Sequence, residues 1–495
     1  MAQRLTKTDF QNYRVCPAFG WTAQHRPQDL PLTSDPMEVW RARLGEQVDA
    51  LAREFFPNGV LIDVIDMDDA VEQTLTAIER GARRIYQATF ITDDGLLART
   101  DILDHRQDGW TLIEVKSAGH VPDSKVGSEY LWDAAFQRAV IERVGLPVSH
   151  VSLLLLNKEY VRGSALAVGD LMVEVDVTEH VDHLADDLRE AMRTHDGQMR
   201  ESEPPACGCE RKSKGNWCPI RKEVVDPKGT IYEIPYITGK QIAEFLDRGW
   251  INLADVTETS SLNQRMRAGL RLLLLTEDIV DAPRLREFLE AISYPVHFLD
   301  YETILLPIPR FRNGRPNAQE PFQFSLHVED VDTSWHVEFL HDDPDSAYEP
   351  RWLAALQRTV GNLGSVVVWN ATFERTRNLE LAERYPEYAT FLKSLNERMV
   401  DLMDVVTKEM YVSPRFRGSA SLKMVQPVLA PELPYTELWV GDGVHAQAAW
   451  LDAMQPETSR EQRAKLLGAL RTYCGYDTEV MVVIWKRLRE IAGIA

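Results

Sequence analysis

The segment "HFLDYET" (297–303) ends an apolar run with two acids, Asp300 and Glu302, two residues apart. Side chains alternate faces along a β-strand, so both carboxylates point the same way and repel unless a cation sits between them. Two further acids occur where they can join this pair. Glu374 follows the apolar run "SVVVWN", at the start of the predicted helix "ATFERTRNLELA". Asp477 lies four residues after Tyr473 in "YCGYDTEVMVVIW", which puts both on one helical face. Four carboxylates can hold Mg²⁺ or Mn²⁺, and two such ions about 3.5–4 Å apart can clamp the attacking water and the leaving oxygen of a phosphodiester. Tyr473 is positioned to orient the water. Asp401, in "RMVDLMDVV", reads as a supporting or structural acid, and Cys474 as a core cysteine.

A second set lies nearer the N-terminus, in "LLARTDILDHRQDGWTLIEVKSA". Asp101 stands on one predicted strand, and Glu114 and Lys116 stand at i and i+2 on the next. Paired acids hold a divalent ion, while a lysine beside them positions water or stabilises charge on a phosphate. Gln137, in the helix "AAFQRAVI", is placed to support this centre. Cys16 lies near the start of the same region and Cys207, Cys209 and Cys218 near its end. Four thiolates suit either zinc or an iron–sulfur cluster.

The elements that must carry these residues form two α/β patterns. The first begins with helices, among them "EVWRARLGEQVDALAREFF" and "AVEQTLTAIERGARRIY". The strands "GLLARTDILDH" and "GWTLIEVKSA" follow, joined by the turn "RQDG", then the helix "YLWDAAFQRAVIERVG" and the strand "HVSLLLLN". This module is expected over 1–225. Three short helices, "ITGKQIAEFLDRGW", "SLNQRMRAGLRLLLL" and "APRLREFLEAIS", make 226–290 a helical connector that binds a protein partner or guides DNA. From 291 to 495 the strands "VHFLDYET", "FQFSLHVED", "WHVEFL" and "GSVVVWN" lead to helices ending at "EVMVVIWKRLREIA".

A chain of 495 residues exceeds one core and predicts about two to four domains. The net charge of −21 argues against indiscriminate nucleic-acid binding, because phosphates need local positive potential. That potential is concentrated in three segments. They are "ERKSKGNWCPIRK" with Arg211, Lys212 and Lys214, "PRFRNGRP" with Arg310 and Arg312, and "PRFRGSASLK" with Arg415, Arg417 and Lys423. No apolar run approaches the roughly 18 residues of a membrane span, and the N-terminal stretch lacks the apolar core of a signal peptide. A cytoplasmic protein without a membrane partner is expected.

Asp300-x-Glu302, Asn370-x-x-Phe373-Glu374 and Tyr473-x-x-x-Asp477 together resemble the three motifs of the DEDD exonuclease superfamily, whose fold is RNase H-like. Glu374 stands where that family usually has Asp. Residues 291–495 also resemble an uncharacterised bacterial domain that follows a RecB-like nuclease module, through "HFLDYET", "PFQFSLHV", "WNATFE" and "GSASLKMVQPVLAPEL". Residues 1–225, through Asp101 and Glu114-x-Lys116, resemble PD-(D/E)XK nucleases of the RecB type, especially the iron–sulfur type associated with CRISPR adaptation. That resemblance implies a [4Fe–4S] cluster on Cys16, Cys207, Cys209 and Cys218. It also puts Glu46 where relatives often carry a metal-binding His. The two resemblances together imply a metal-dependent nuclease that degrades DNA from the 3′ end. The alternatives are an RNA exonuclease whose N-terminal module grips substrate, and a non-catalytic nucleic-acid-binding protein.

Overall fold

A computed structural model describes residues 4–30, 36–121, 124–206, 228–343, 349–435 and 439–494. The chain is mixed α/β and divides into two compact units. One comprises Met1–Ser34, Arg41–Pro227 and Leu306–Ala318, and the other Asp35–Trp40, Lys228–Leu305 and Gln319–Ala495. None of the described helices is long and apolar enough to cross a membrane.

The first unit is organised by a six-stranded sheet. Its strands run in the order Val60–Leu61, Arg84–Tyr86, Ile102–Arg106, Gly109–His120, Val148–Asn157 and Met172–Asp176. Gly109–His120 and Val148–Asn157 are parallel, and the helix Ser128–Arg143 makes the crossover that parallel neighbours require. This helix buries Phe136, Val140 and Ile141 in the same core as Leu153 and Leu155 of the sheet. The helix Lys7–Val15 starts from a capping box between Thr6 and Asp9 and stacks Phe10 on Phe136 at 5.0 Å.

Two local expectations change here. "GLLARTDILDH" is not one strand: Leu96–Arg99 pairs with Leu5–Thr6 and Thr89–Ile91 in a separate three-stranded sheet, while Ile102–Arg106 joins the large one. The chain turns at Asp101, whose carboxylate accepts the Val115 amide at 2.8 Å. The helical pattern "AVEQTLTAIERGARRIY" ends at Glu79, and Arg84–Tyr86 is a strand. Gly81 adopts φ +79°, and the Ala82 amide bonds back to the Ala77 carbonyl, closing the helix with a left-handed glycine.

Leu306–Ala318, expected within the C-terminal module, packs in the first unit instead. Its backbone pairs with Arg162, whose amide donates to Gly314 O at 3.0 Å and whose carbonyl accepts from Asn313 N at 2.8 Å. Asn317 Nδ2 reaches Ser117 O at 2.9 Å, and Ile308 joins an apolar cluster around Val115 and Leu156.

In the second unit a five-stranded sheet has the order Ser334–Leu340, Gln319–Glu329, Val296–Leu305, Val366–Val368 and Met399–Asp401. Numbered along the chain, this is 3-2-1-4-5. The first three strands form an antiparallel meander, and the last two run parallel to the first. A 32-residue helix, Arg460–Ile491, lies along the sheet. The expected connector helices form at Gly239–Asp247, Gln264–Leu273 and Ala282–Glu290, and the first two enclose a small core of their own around Phe245 and Met266.

The central strand is locked at its start by the Gly364–Ser365 turn. His297 N donates to Ser365 O and Ser365 N to Ser293 O, both at 2.9 Å. Gly364 holds φ +72°, and a Cβ there would sit 1.9 Å from the Pro295 carbonyl oxygen. The atoms it would meet are all backbone of Pro295, which cannot swing aside as a side chain would. Gly364→Ala should therefore cost about 3 kcal/mol of unfolding free energy, read by urea denaturation. A loss under about 0.5 kcal/mol, the range of neutral surface changes, would contradict this account of the turn.

Candidate functional site

The site in the second unit arises from the register between the central strand and the long helix. Phe298, Asp300 and Glu302 share one face of Val296–Leu305. Tyr473, Cys474, Asp477, Met481 and Trp485 recur at helical spacing on Arg460–Ile491, and all are buried. Phe298 meets Trp485 edge-on at 5.6 Å. Three turns away the same helix face brings the Cys474 thiol to 3.6 Å from Asp300 Oδ2. The apolar end of the contact thus fixes the height at which its acidic end meets. Cys474, read as a core residue, is both core and part of this cluster, and one ligand atom each from Asp300, Glu302 and Cys474 lie within 4.8 Å of one another.

Glu374 enters from another direction. Asn370, in a left-handed conformation, caps the helix Ala371–Arg384 and puts Glu374 in its first turn. Asp401, at the end of the fifth strand, accepts the amides of Asn370, Ala371 and Met403 at 2.9–3.1 Å, which holds that helix start in place. One turn on, Asn378 accepts from the Tyr301 hydroxyl on the opposite face of the central strand. Glu374 is 2% exposed, and its Oε2 is a buried oxygen without a hydrogen-bond partner.

These carboxylates share a large electrostatic cost. Burial, then the charge of Asp477, raises the Asp300 carboxyl well above the usual range. Burial, then Asp300 and Asp477, does the same for Glu302, and burial with Asp300 for Glu374. Asp477 is pushed by burial up to about 6, against the hydrogen bonds it accepts from Tyr435 and Tyr473 and the charge of Lys423. Two like charges about 4 Å apart repel by roughly 4 kcal/mol even at an effective dielectric constant of 20. Lys423, itself exposed, is the cation facing Glu302 and Asp477 among the described residues.

The N-terminal set has the opposite balance. Glu114 Oε1 accepts from Lys7 Nζ at 2.6 Å and Lys116 Nζ at 2.9 Å, and its other oxygen accepts from Gln137. Lys116 also binds Asp133 at 2.7 Å. Burial works to raise the Glu114 carboxyl, but Lys7 and Lys116 outweigh it and bring it down to about 2. Asp101 is raised by burial and by Glu114. Here Asp101, Glu114, Lys116 and Gln137 do converge, with their charge neutralised by lysines. Glu46 does not join them. It is exposed, and Asp49, three residues on, is the helix acid that feels Glu114, Lys7 and Lys116.

Four participants were missing from the sequence reading: Lys7, Asp49, Asp133 and Tyr435. Lys7 reaches Glu114 across 107 positions, which no local spacing announces. Asp49 was findable, because Val48 and Ala52, apolar positions beside it that are buried, turn residue 49 inward and Glu46 outward.

The basic segments divide. Lys423 faces the carboxylates, and Arg415 is exposed beside it in the chain. Arg417 is spent on an ion pair with Glu233 and is not available to a phosphate. Arg310, half-buried, and Arg312, exposed, belong to the first unit through Leu306–Ala318. Cys16 is buried at the junction of two helices, Lys7–Val15 and Pro17–His25. Cys207, Cys209, Cys218, Arg211, Lys212 and Lys214 lie outside the described residues.

Residues 297–421 match a family described as a domain of unknown function, DUF2779. The chain is also similar to "Uncharacterized protein UU173" of Ureaplasma parvum serovar 3 (strain ATCC 700970), at 26% identity over 217 residues. That match covers 39% of this chain and 31% of the relative, so the chain spans about a third of the relative's length. The family match begins at the strand carrying Asp300 and Glu302 and includes Glu374; Tyr473 and Asp477 lie beyond it.

Raised carboxyls make stability fall as pH rises, since the folded state binds protons more tightly than the unfolded. Without divalent ions, the Asp477 contribution grows as pH drops through about 6 and is complete near 3.8. His327 opposes it: burial lowers this imidazole from 6.5 to about 4, so acidification across that window costs stability. The difference between variants separates the two. Glu302→Gln is expected to melt higher than the intact protein at pH 8, with the gap shrinking by pH 5. Mn²⁺ at pH 8 should raise the melting temperature of the intact protein and not of Asp300→Asn. A Glu302→Gln protein no more stable than the parent at pH 8 would refute the repulsion described here.

Proposed function

We propose that this protein is a metal-dependent nuclease that hydrolyses phosphodiester bonds of DNA, removing nucleotides from the 3′ end at Asp300, Glu302, Glu374 and Asp477. The observation that carries the reading is the convergence of four carboxyls, three of them no more than 8% exposed, offset only in part by Lys423 beside Glu302 and Asp477 and by Arg377 beside Glu374. The 3-2-1-4-5 strand order, with its antiparallel second strand, is what an RNase H-like module would have, and it supports the same reading.

The donor set fits a hard divalent cation: carboxylate oxygens from three different elements, one of them buried and unpartnered. Mg²⁺ or Mn²⁺, when bound, supplies positive charge against the phosphate and acidity for the attacking water. The protein's own groups do the rest. Asp300 and Glu302 fix the centre on a strand buried on both faces. Asp477, oriented by the Tyr435 and Tyr473 hydroxyls, completes it from the helix, and Tyr473 positions water beside it. Lys423 offsets part of the charge at the rim.

A cation at Asp101 and Glu114 must first displace Lys7, so in the first unit we assign those residues to a second, RecB-like nuclease site that opens only when Lys7 moves.

The test is digestion of end-labelled single- and double-stranded DNA and matched RNA with Mg²⁺ or Mn²⁺. Asp300→Asn should reduce mononucleotide release by about a thousandfold, a barrier change of several kcal/mol. Cleavage that survives in Asp300→Asn and is lost on adding Glu114→Gln belongs to the N-terminal site. Equal release by the parent and by Asp300→Asn, or no release from any substrate, would sink the assignment.

A further inference from the structure

A cavity of about 1020 Å³ opens within the second unit, between the connector and the segments that carry the carboxylates. One wall is Glu233–Tyr236 and the helix Gln264–Leu273, and the other is Trp369–Asn370 with the loop Ser413–Leu422. We propose that this groove holds the single strand of nucleic acid upstream of the bond cut at Asp300, with bases stacked against Tyr236 and Arg265. The proposal rests on the nuclease reading above and adds what the connector is for.

Three observations carry it. First, the groove is continuous in chain with the catalytic carboxylates. Asn370, in its wall, caps the helix whose first turn bears Glu374, and Leu422, at its edge, is followed by Lys423, which faces Glu302 and Asp477. A strand lying along this wall is thereby led toward the metal ligands.

Second, the groove presents a flat cationic platform. Tyr236 is 60% exposed and held at φ +61°, a backbone conformation that costs a non-glycine residue energy. The Arg265 guanidinium lies 3.7 Å from its ring centroid and bonds its hydroxyl. Planar aromatic and guanidinium groups stack on bases of any sequence, and the base faces they need are free only in a single strand. An exposed tyrosine pinned by an arginine contributes little to a core, so packing does not account for it.

Third, the acids of the groove are already neutralised. Glu233 is paired with Arg417 and Glu409 with Arg271. These pairs join the connector to the catalytic segments and remove the negative charge that would repel a phosphate backbone.

The experiment measures binding of 5′-labelled oligo-dT and oligo-U, two to ten nucleotides long, in EDTA by fluorescence anisotropy. It uses the full-length protein and the Tyr236→Ala/Arg265→Ala variant, whose melting temperature checks folding. A separate assay follows Mn²⁺-dependent hydrolysis of the p-nitrophenyl ester of thymidine monophosphate by the intact protein. The double variant should bind decanucleotides about tenfold more weakly, the loss of one stacked base, with a deficit that shrinks toward dinucleotides. A folding defect would produce no such length dependence. The better-bound of dT and U identifies which nucleic acid the groove takes. Ester hydrolysis with no difference in oligonucleotide binding between variant and parent would overturn the groove and spare the nuclease. Absence of ester hydrolysis and of any oligonucleotide binding by the intact protein would overturn both, and a duplex bound as tightly as the single strand would overturn the base-stacking occupant.

Discussion

Like charges buried together are the constraint around which the second unit is built. Asp300, Glu302, Glu374 and Asp477 come from a strand and two helices, and every route by which a protein normally relieves such charge is limited here. Water is largely excluded, Lys423 and Arg377 each act on only part of the cluster, and the hydrogen bonds from Tyr435 and Tyr473 reach only Asp477. A fold can hold this arrangement only if the rest of the packing over-determines it. The Phe298–Trp485 contact, the Gly364 turn and the Asp401 cap are those over-determining contacts. Each lies outside the cluster and fixes one of the elements that enter it.

The two acidic sets illustrate how similar residues are given different states by their neighbours. Glu114 is more deeply buried than Glu302, yet its carboxyl is driven down while that of Glu302 is driven up. Desolvation favours the neutral form in both cases. The sign is decided by two ammonium groups in direct contact with Glu114, against Asp300 and Asp477 beside Glu302. An ion pair inside the protein and an ion taken from solution are alternative solutions to the same problem, and this chain contains both.

Much of the second site was legible because its signals are local. "HFLDYET" alternates as a strand does, "SVVVWN" stops at a residue that starts a helix, and Tyr473 and Asp477 keep helical spacing. Strand existence and the connector helices followed from the same kind of pattern. What was not legible depended on tertiary placement. The corner at Asp101 splits a stretch that reads as one strand, and its side chain there accepts the Val115 amide. Lys7 and Tyr435 reach their partners across large sequence separations. Arg417 looked like a phosphate contact until its partner Glu233 was known, and charge alone does not tell a binding arginine from a structural one.

Leu306–Ala318 leaves the strand that bears Asp300 and Glu302, packs in the first unit, and returns as that strand's antiparallel neighbour. The first unit is therefore incomplete as a continuous stretch of polypeptide. On the ribosome, Arg162 and Ser117 wait for partners until residue 318 has emerged, long after the strands of their own sheet have been made. A fragment ending near residue 227 would present those groups and the apolar seat of Ile308 to solvent. Gene dissection at a linear boundary would thus compare damaged halves, and the covalent order of this chain ties the maturation of one unit to the synthesis of the other.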